Sequence, residues 1–141
     1  MIYKIYLAGA MGYFGKERFN EGNTWRVHIK RELESADSIY KVICDNPNDY
    51  YNFLSKEYKS ELEIQKFDLD KVRQANLIIV NFNAYSTGTS KELAVANEYG
   101  KHVIGLNENG LELHPWDVND CIRIFDDMDE MLDHVKKFYL N

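Results

Sequence analysis

Cysteine is scarce in this 141-residue chain: Cys44 and Cys121 are the only two, and they stand far apart. So few, so separated, supply neither a disulfide framework nor a metal cluster, and they fit a reducing cytoplasm. Proline is equally rare, with Pro47 and Pro115 both in stretches that read as loops. No apolar run approaches the ~18–20 residues that span a bilayer, so no membrane partner is expected. Met1 to Met11 is short and interrupted by Lys4, and it reads as a first strand rather than a signal peptide. Cationic side chains are in deficit: 17 Lys and Arg against 23 Asp and Glu leave a net charge of −6. That balance excludes a protein that coats DNA or RNA, though not one with a pocket for small nucleotides. The histidines, His28, His102, His114 and His134, lack metal-ligand spacing, and no Ser-His-Asp or Cys-His constellation is evident. No metal or organic cofactor is expected.

A 45% hydrophobic and 13% aromatic composition is enough for one buried core, and residues 1–141 read as a single domain. Strand-like segments at Ile2 to Ala8, Ile39 to Cys44, Leu77 to Val80, Val103 to Leu106 and Ile122 to Phe125 alternate with helical ones. The spacing predicts helices from Asn23 or Thr24 to about Ala36, Glu61 to Ala75, Ser90 to Tyr99 and Asp127 to Tyr139. Tyr50 to Tyr58 is ambiguous and reads as partly helical. Gly100 is placed to stop the third of these helices. Strands apolar on both faces predict an α/β three-layer sandwich with a five-stranded parallel sheet, flavodoxin- or Rossmann-like. Ligands bind such sheets beyond the carboxyl ends of the strands. There the loops Gly9 to Asn23, Asn81 to Thr89 and Asn107 to Asp120 are expected to meet.

The first loop, Gly9-Ala10-Met11-Gly12-Tyr13-Phe14-Gly15, lets backbone approach a phosphate or sugar, or is simply a tight strand-to-helix connection. Its spacing matches neither G-x-G-x-x-G nor a P-loop. In Ser86-Thr87-Gly88-Thr89-Ser90-Lys91-Glu92, Thr89 and Glu92 read as a capping box. The functional alternative makes Glu92 a nucleophile or base in the first turn, favoured as an anion by the helix dipole. Ser86, Thr87, Gly88 and the free N–H groups of Thr89 and Ser90 would then form an anion pocket. Asp68 is either solvated or aimed at a strand end, beside a Leu69 expected to be buried. Tyr6, Tyr13, Phe14, Trp25, Tyr85 and Trp116 are aromatic faces near the cleft, suited to core packing or to stacking on a base.

Taken together these motifs resemble the nucleoside 2-deoxyribosyltransferase family, which includes deoxynucleoside 5′-monophosphate N-hydrolases. The likeness runs through Ile5-Tyr6-Leu7-Ala8-Gly9-Ala10-Met11, then Trp25-Arg26, then Asp68-Leu69 followed by Ala75-Asn76-Leu77-Ile78-Ile79-Val80. It continues in Gly88-Thr89-Ser90-Lys91-Glu92-Leu93-Ala94 with Gly100-Lys101-His102-Val103, similar to "G-T-x-x-E-L-G … G-K-P-V", and in Leu113 to Ile124. Asn76, Ala94 and His102 depart from the family's aspartate, glycine and proline.

The resemblance implies Glu92 as the nucleophile at the anomeric carbon. It implies Asp68 as sugar contact and proton carrier, and Tyr6 as the group that orients the nucleophile. Ser86 stands where the monophosphate hydrolases carry a phosphate-binding serine. Gly9, Ser86 and Gly88 would line the sugar or phosphate end, Met11 would be a further substrate contact, and Tyr13, Phe14 or Trp25 would face the base. The resemblance further implies a homodimer or larger homo-oligomer whose neighbouring subunit closes the site, with Glu112 or His114 as that contribution. Glu112 would repel a phosphate; His114 would favour one. The expected substrate is a small 2′-deoxynucleoside or its 5′-monophosphate, cleaved at its N-glycosidic bond through a glutamyl-deoxyribosyl intermediate. Hydrolysis in place of transfer, and a non-catalytic nucleotide-binding or sensing module, are the competing readings.

Overall fold

The computed structural model describes residues 1–10, 19–50 and 60–141. Among these residues are five strands: β1 (Ile2–Gly9), β2 (Lys41–Asp45), β3 (Leu77–Asn81), β4 (His102–Leu106) and β5 (Arg123–Phe125). They alternate with helices α1 (Phe19–Glu34), α2 (Glu61–Gln74), α3 (Thr87–Glu98), α4 (Pro115–Asn119) and α5 (Met128–Phe138). Every strand pair is parallel, in the order β2-β1-β3-β4-β5. The α/β fold expected from the sequence is therefore the fold observed. Among the described residues no helix is long and apolar enough to cross a membrane.

The alternation of side chains along the central strands builds two apolar layers. Ile5 and Leu7 of β1 and Leu77 and Ile79 of β3 face α1 and α5, where Ile29, Leu33, Met131 and Val135 cover them. Tyr6 and Ala8, with Ile78 and Val80, face α2 and α3, against Val72, Leu93 and Ala96. All five residues of β3 are buried, which is why the strand reads as an unbroken apolar run. The chain passes from β1 to β2 on one side and to β3 on the other. The gap between the carboxyl ends of β1 and β3 is thus the topological switch point, with Gly9 and Asn81 paired at its base.

The element boundaries differ from expectation where a side chain has a distant use. α1 begins at Phe19, not at Asn23 or Thr24, because the Asn23 side chain is not a cap. Its Oδ1 accepts from the amides of Asn46 (3.0 Å) and Asn48 (2.9 Å) beyond β2. β2 begins at Lys41, leaving Ile39 outside the sheet and exposed. The predicted turn after β2 contains a short 3₁₀ helix, Pro47–Asp49, capped by Asn46. The late loop carries α4, which was not expected. Gly100 ends α3 with φ +68°, and the Lys101 N–H reaches back to the Ala96 carbonyl at 2.8 Å, as its position in the sequence implied. The ambiguous stretch after Tyr50 lies outside the described residues.

Candidate active site

Tyr6 stands on the α2–α3 face of β1 with 1% of its surface exposed. Its phenol O–H donates to Glu92 Oε2 on α3 in a short hydrogen bond. The predicted capping box is therefore wrong. Ser86 is the N-cap of α3, accepting the Thr89 N–H on its Oγ at 3.2 Å, and the helix starts at Thr87. That earlier start places Glu92 in the second turn rather than the first, beyond the reach of most of the dipole's stabilisation. What favours an ionised Glu92 is instead the Tyr6 hydroxyl and a nearby cation, Arg26.

Asp68 is buried on α2 in the row Ile64, Asp68, Val72, one turn apart on the core-facing side. Leu69, expected to be the buried neighbour, is only half-buried, and Leu62 is exposed. Among the described residues, the buried Oδ1 of Asp68 has no hydrogen-bond partner. Burial pushes Asp68 up to about 6, with Arg26 pulling the other way. Burial, with the Asp68 charge added, raises Glu92 to about 8, against the pull of the Tyr6 hydrogen bond and Arg26. Part of the Glu92 residue reaches the surface, but its carboxyl end is the buried part. Tyr6 is held well above its ordinary value, first by burial and then by the two carboxyls, so it is a hydrogen-bond donor and not a base. The two carboxyls act as one titrating pair that keeps a single proton between about pH 6 and pH 8.

Arg26 was read only as part of a family-like pair. It is fully buried, and its guanidinium lies 4.5 Å over the Trp25 ring. Its signal was its place in the apolar row Gly22, Trp25, Arg26, Ile29, Leu33, all buried. Val27, expected on that face, is 40% exposed.

The remaining described candidates fall in several places, with some corrections. Trp25, expected to face the base, packs into the α1–α5 core with 7% of its surface exposed. Gly9 is glycine because a Cβ there would stand 2.8 Å from the Trp25 ring, a packing reason distinct from ligand approach. Gly88 has no such constraint, since its Cβ would meet only Ser86 Oγ at 3.8 Å. The N–H groups of Thr89 and Ser90 are not free: they donate to Ser86 Oγ and to the Ser86 carbonyl. Glu112 is exposed, and its carbonyl accepts from the Tyr85 hydroxyl at 2.5 Å. His114 caps α4, its Nδ1 accepting the Trp116 N–H at 3.1 Å. Together with Ser90 Oγ donating to Asp117 Oδ2 at 3.3 Å, these contacts tie the late loop onto the β3–α3 connection of the same chain. Met11, Tyr13 and Phe14 lie outside the described residues. Among the described residues no group of three His, Cys, Asp or Glu side chains could hold a metal.

The arrangement is a buried carboxyl pair, one member oriented by a phenol, both beside a guanidinium, at the switch point of a parallel sheet. Chemically it can attack an electrophilic carbon with one carboxylate and move a proton with the other. No protein-family model matches the chain, and no curated protein matches its sequence. Solved structures do resemble it over nearly its whole length. A conserved protein from Enterococcus faecalis V583 is 17% identical, with a TM-score of 0.78 over 97% of this chain and 99% of that one. A 2-desoxiribosyltransferase from Leishmania mexicana is 16% identical, with a TM-score of 0.69 over 98% and 99%. A CMP N-glycosidase from Clostridium botulinum is 19% identical, with a TM-score of 0.59 over 96% and 99%. The chain therefore has the fold of these three proteins, a 2-desoxiribosyltransferase and a CMP N-glycosidase among them.

Proposed function

We propose that this protein is a nucleoside 2-deoxyribosyltransferase-like enzyme that breaks the N-glycosidic bond of a 2′-deoxynucleoside or its 5′-monophosphate. The observation that carries this reading is the Tyr6–Glu92 hydrogen bond with Asp68 buried beside it. In the first step the Glu92 carboxylate bonds to the anomeric carbon as the C–N bond breaks. The bonding electrons go to the base nitrogen, and Asp68 supplies the proton that lets the base leave neutral. Positive charge develops on the sugar in the transition state, and an anion fixed on one face stabilises it. In the second step a new base or water attacks the same carbon from the vacated side, returns a proton to Asp68 and releases Glu92. Two displacements retain configuration.

Tyr6 keeps the nucleophile aimed and ionised. Its donated bond favours a charged Glu92, whereas Asp68 Oδ1 receives none from the described residues. Burial leaves the shared proton mainly on Glu92, whose value is the higher of the two, so the reactive form is the alternative tautomer, with the proton on Asp68 and Glu92 ionised against Tyr6.

A monophosphate N-hydrolase is the second reading. It draws on the hydroxyl of Ser86 at the start of α3 and on the likeness to a CMP N-glycosidase. One experiment separates the outcomes. The protein is incubated with each deoxynucleoside and deoxynucleotide, with and without a free acceptor base, and base release is followed chromatographically. A new nucleoside indicates transfer, and free base without acceptor indicates hydrolysis. No release from any of them contradicts both readings.

A further inference from the structure

Arg26 occupies a place where packing alone calls for an apolar side chain. It is 0% exposed in a row otherwise made of Gly22, Trp25, Ile29 and Leu33. A buried ion can often be replaced by a hydrophobic side chain of similar volume at no loss of stability, so core formation does not explain a guanidinium here. Among the described residues its hydrogen bonds are all to backbone carbonyls. Nε donates to Leu7 at 3.2 Å, Nη2 to Gly9 at 2.7 Å, and Nη1 to Gly22. Carbonyls satisfy the N–H groups and leave the charge without an anion among those bonds.

Leu7 and Gly9 flank the carboxyl end of β1, immediately after Tyr6. The fields that meet Arg26 there are those of Tyr6 on β1, Glu92 on α3 and Asp68 on α2. Tyr50, which donates to Asp45 at the end of β2, is a further titratable group within reach of Asp68.

We propose that Arg26 is a positioning residue of this site: it clamps the end of β1 that carries Tyr6, and its charge keeps the Glu92–Asp68 pair from holding both protons at neutral pH. Burial lowers Arg26 only to about 10, so it remains a cation throughout the working range. It pulls on both carboxyls in the same direction, toward ionisation. The catalytic meaning of the proposal rests on Glu92 being the nucleophile, but the electrostatic claim stands apart from turnover.

The test is a ¹³C NMR titration of the Asp68 and Glu92 carboxyls in substrate-free protein, run for the natural chain, Arg26→Lys and Arg26→Gln. Arg26→Gln keeps two N–H donors and removes the charge. Both titration steps are expected to rise by about one pH unit or more in Arg26→Gln and to stay in place in Arg26→Lys. Unmoved steps in folded Arg26→Gln would overturn the proposal, since a merely structural arginine lowers the melting temperature without moving them. If Arg26→Gln does not fold, the same change is made together with Glu92→Gln, which removes one anion the cation answers. Recovery larger than the gain Glu92→Gln gives the natural chain supports the proposal, and recovery no larger, or continued unfolding, overturns it. A natural chain that releases no base would defeat the function proposed above while leaving this titration decisive for Arg26.

Discussion

The phenol of Tyr6, on the first strand, and the carboxylate of Glu92, on the third helix, are joined by a hydrogen bond between residues 86 positions apart. The sheet makes that contact possible. Tyr6 pairs with Ile78 of β3, and the chain leaving β3 returns as α3 over the same face. Tyr6→Phe removes the donor and leaves the ring that packs the core. A hydrogen bond to a charged acceptor is worth ~1.5–3 kcal/mol, so turnover is expected to fall about 10- to 100-fold. Glu92 should also become harder to ionise, moving the limb near pH 8 upward. Measuring kcat against pH for both proteins checks it, and an unchanged profile would remove Tyr6 from the nucleophile's support.

The carboxyl pair sets the pH range of activity. The reactive form holds one proton, so the rate is expected to rise through about pH 6 and decline through about pH 8. Asp68→Asn deletes the proton carrier, and a loss of ~10²–10⁴ in rate is expected. A substrate whose base leaves without protonation should be spared much of that loss. Equal losses on both kinds of base would argue against proton transfer by Asp68.

Both carboxyls weaken the fold in their ionised forms. Their folded values, about 6 and about 8, lie above the ordinary 3.8 and 4.5, so the native chain binds these protons more tightly than the unfolded one. Their contribution to stability is full below about pH 4 and is lost as pH rises through 6 and then 8. Glu92→Gln and Asp68→Asn are each expected to gain about 1–3 kcal/mol near pH 8 and little at pH 4. Urea unfolding at the two pH values measures the difference, and variants less stable than the natural chain at pH 8 would contradict the burial argument.

Two candidate residues have structural jobs that substitutions can separate from ligand binding. Gly9→Ala forces a methyl against the Trp25 ring and the Asn81 carbonyl, and a loss of ~1–3 kcal/mol is expected. Ser86→Ala removes the N-cap of α3 at about 0.5–2 kcal/mol. If Ser86 also holds a phosphate, KM for a 5′-monophosphate should rise far more than KM for the matching nucleoside. Equal changes in the two would leave Ser86 as a cap alone.

The sheet was legible because β1, β3 and β4 are apolar on both faces and because Gly100 closes α3 in the way its position implied. Glu92 and Asp68 came from the order of motifs, not from local chemistry. Locally, Thr89 with Glu92 mimics a capping box, and nothing nearby reveals that Ser86 caps first and that Glu92 turns to Tyr6. Two positions carry a readable sign. Arg26 and Asp68 each stand in an apolar row at helical spacing, with Ile29 and Leu33 in one case and Ile64 and Val72 in the other. A charge in such a row is a buried charge, and buried charges gather at functional sites. The true start of α1 could not be read, because Asn23 has the chemistry of a cap but spends it on Asn46 and Asn48 across the fold.

Base release by Glu92→Ala decides the matter. The variant is compared with the natural chain on the deoxynucleoside or deoxynucleotide that the natural chain cleaves, with circular dichroism reporting that the fold persists. Release is expected to fall to the uncatalysed background in a folded protein. Substantial turnover by the folded variant would show that the sugar is not handed through Glu92, and the proposed chemistry would fail with it.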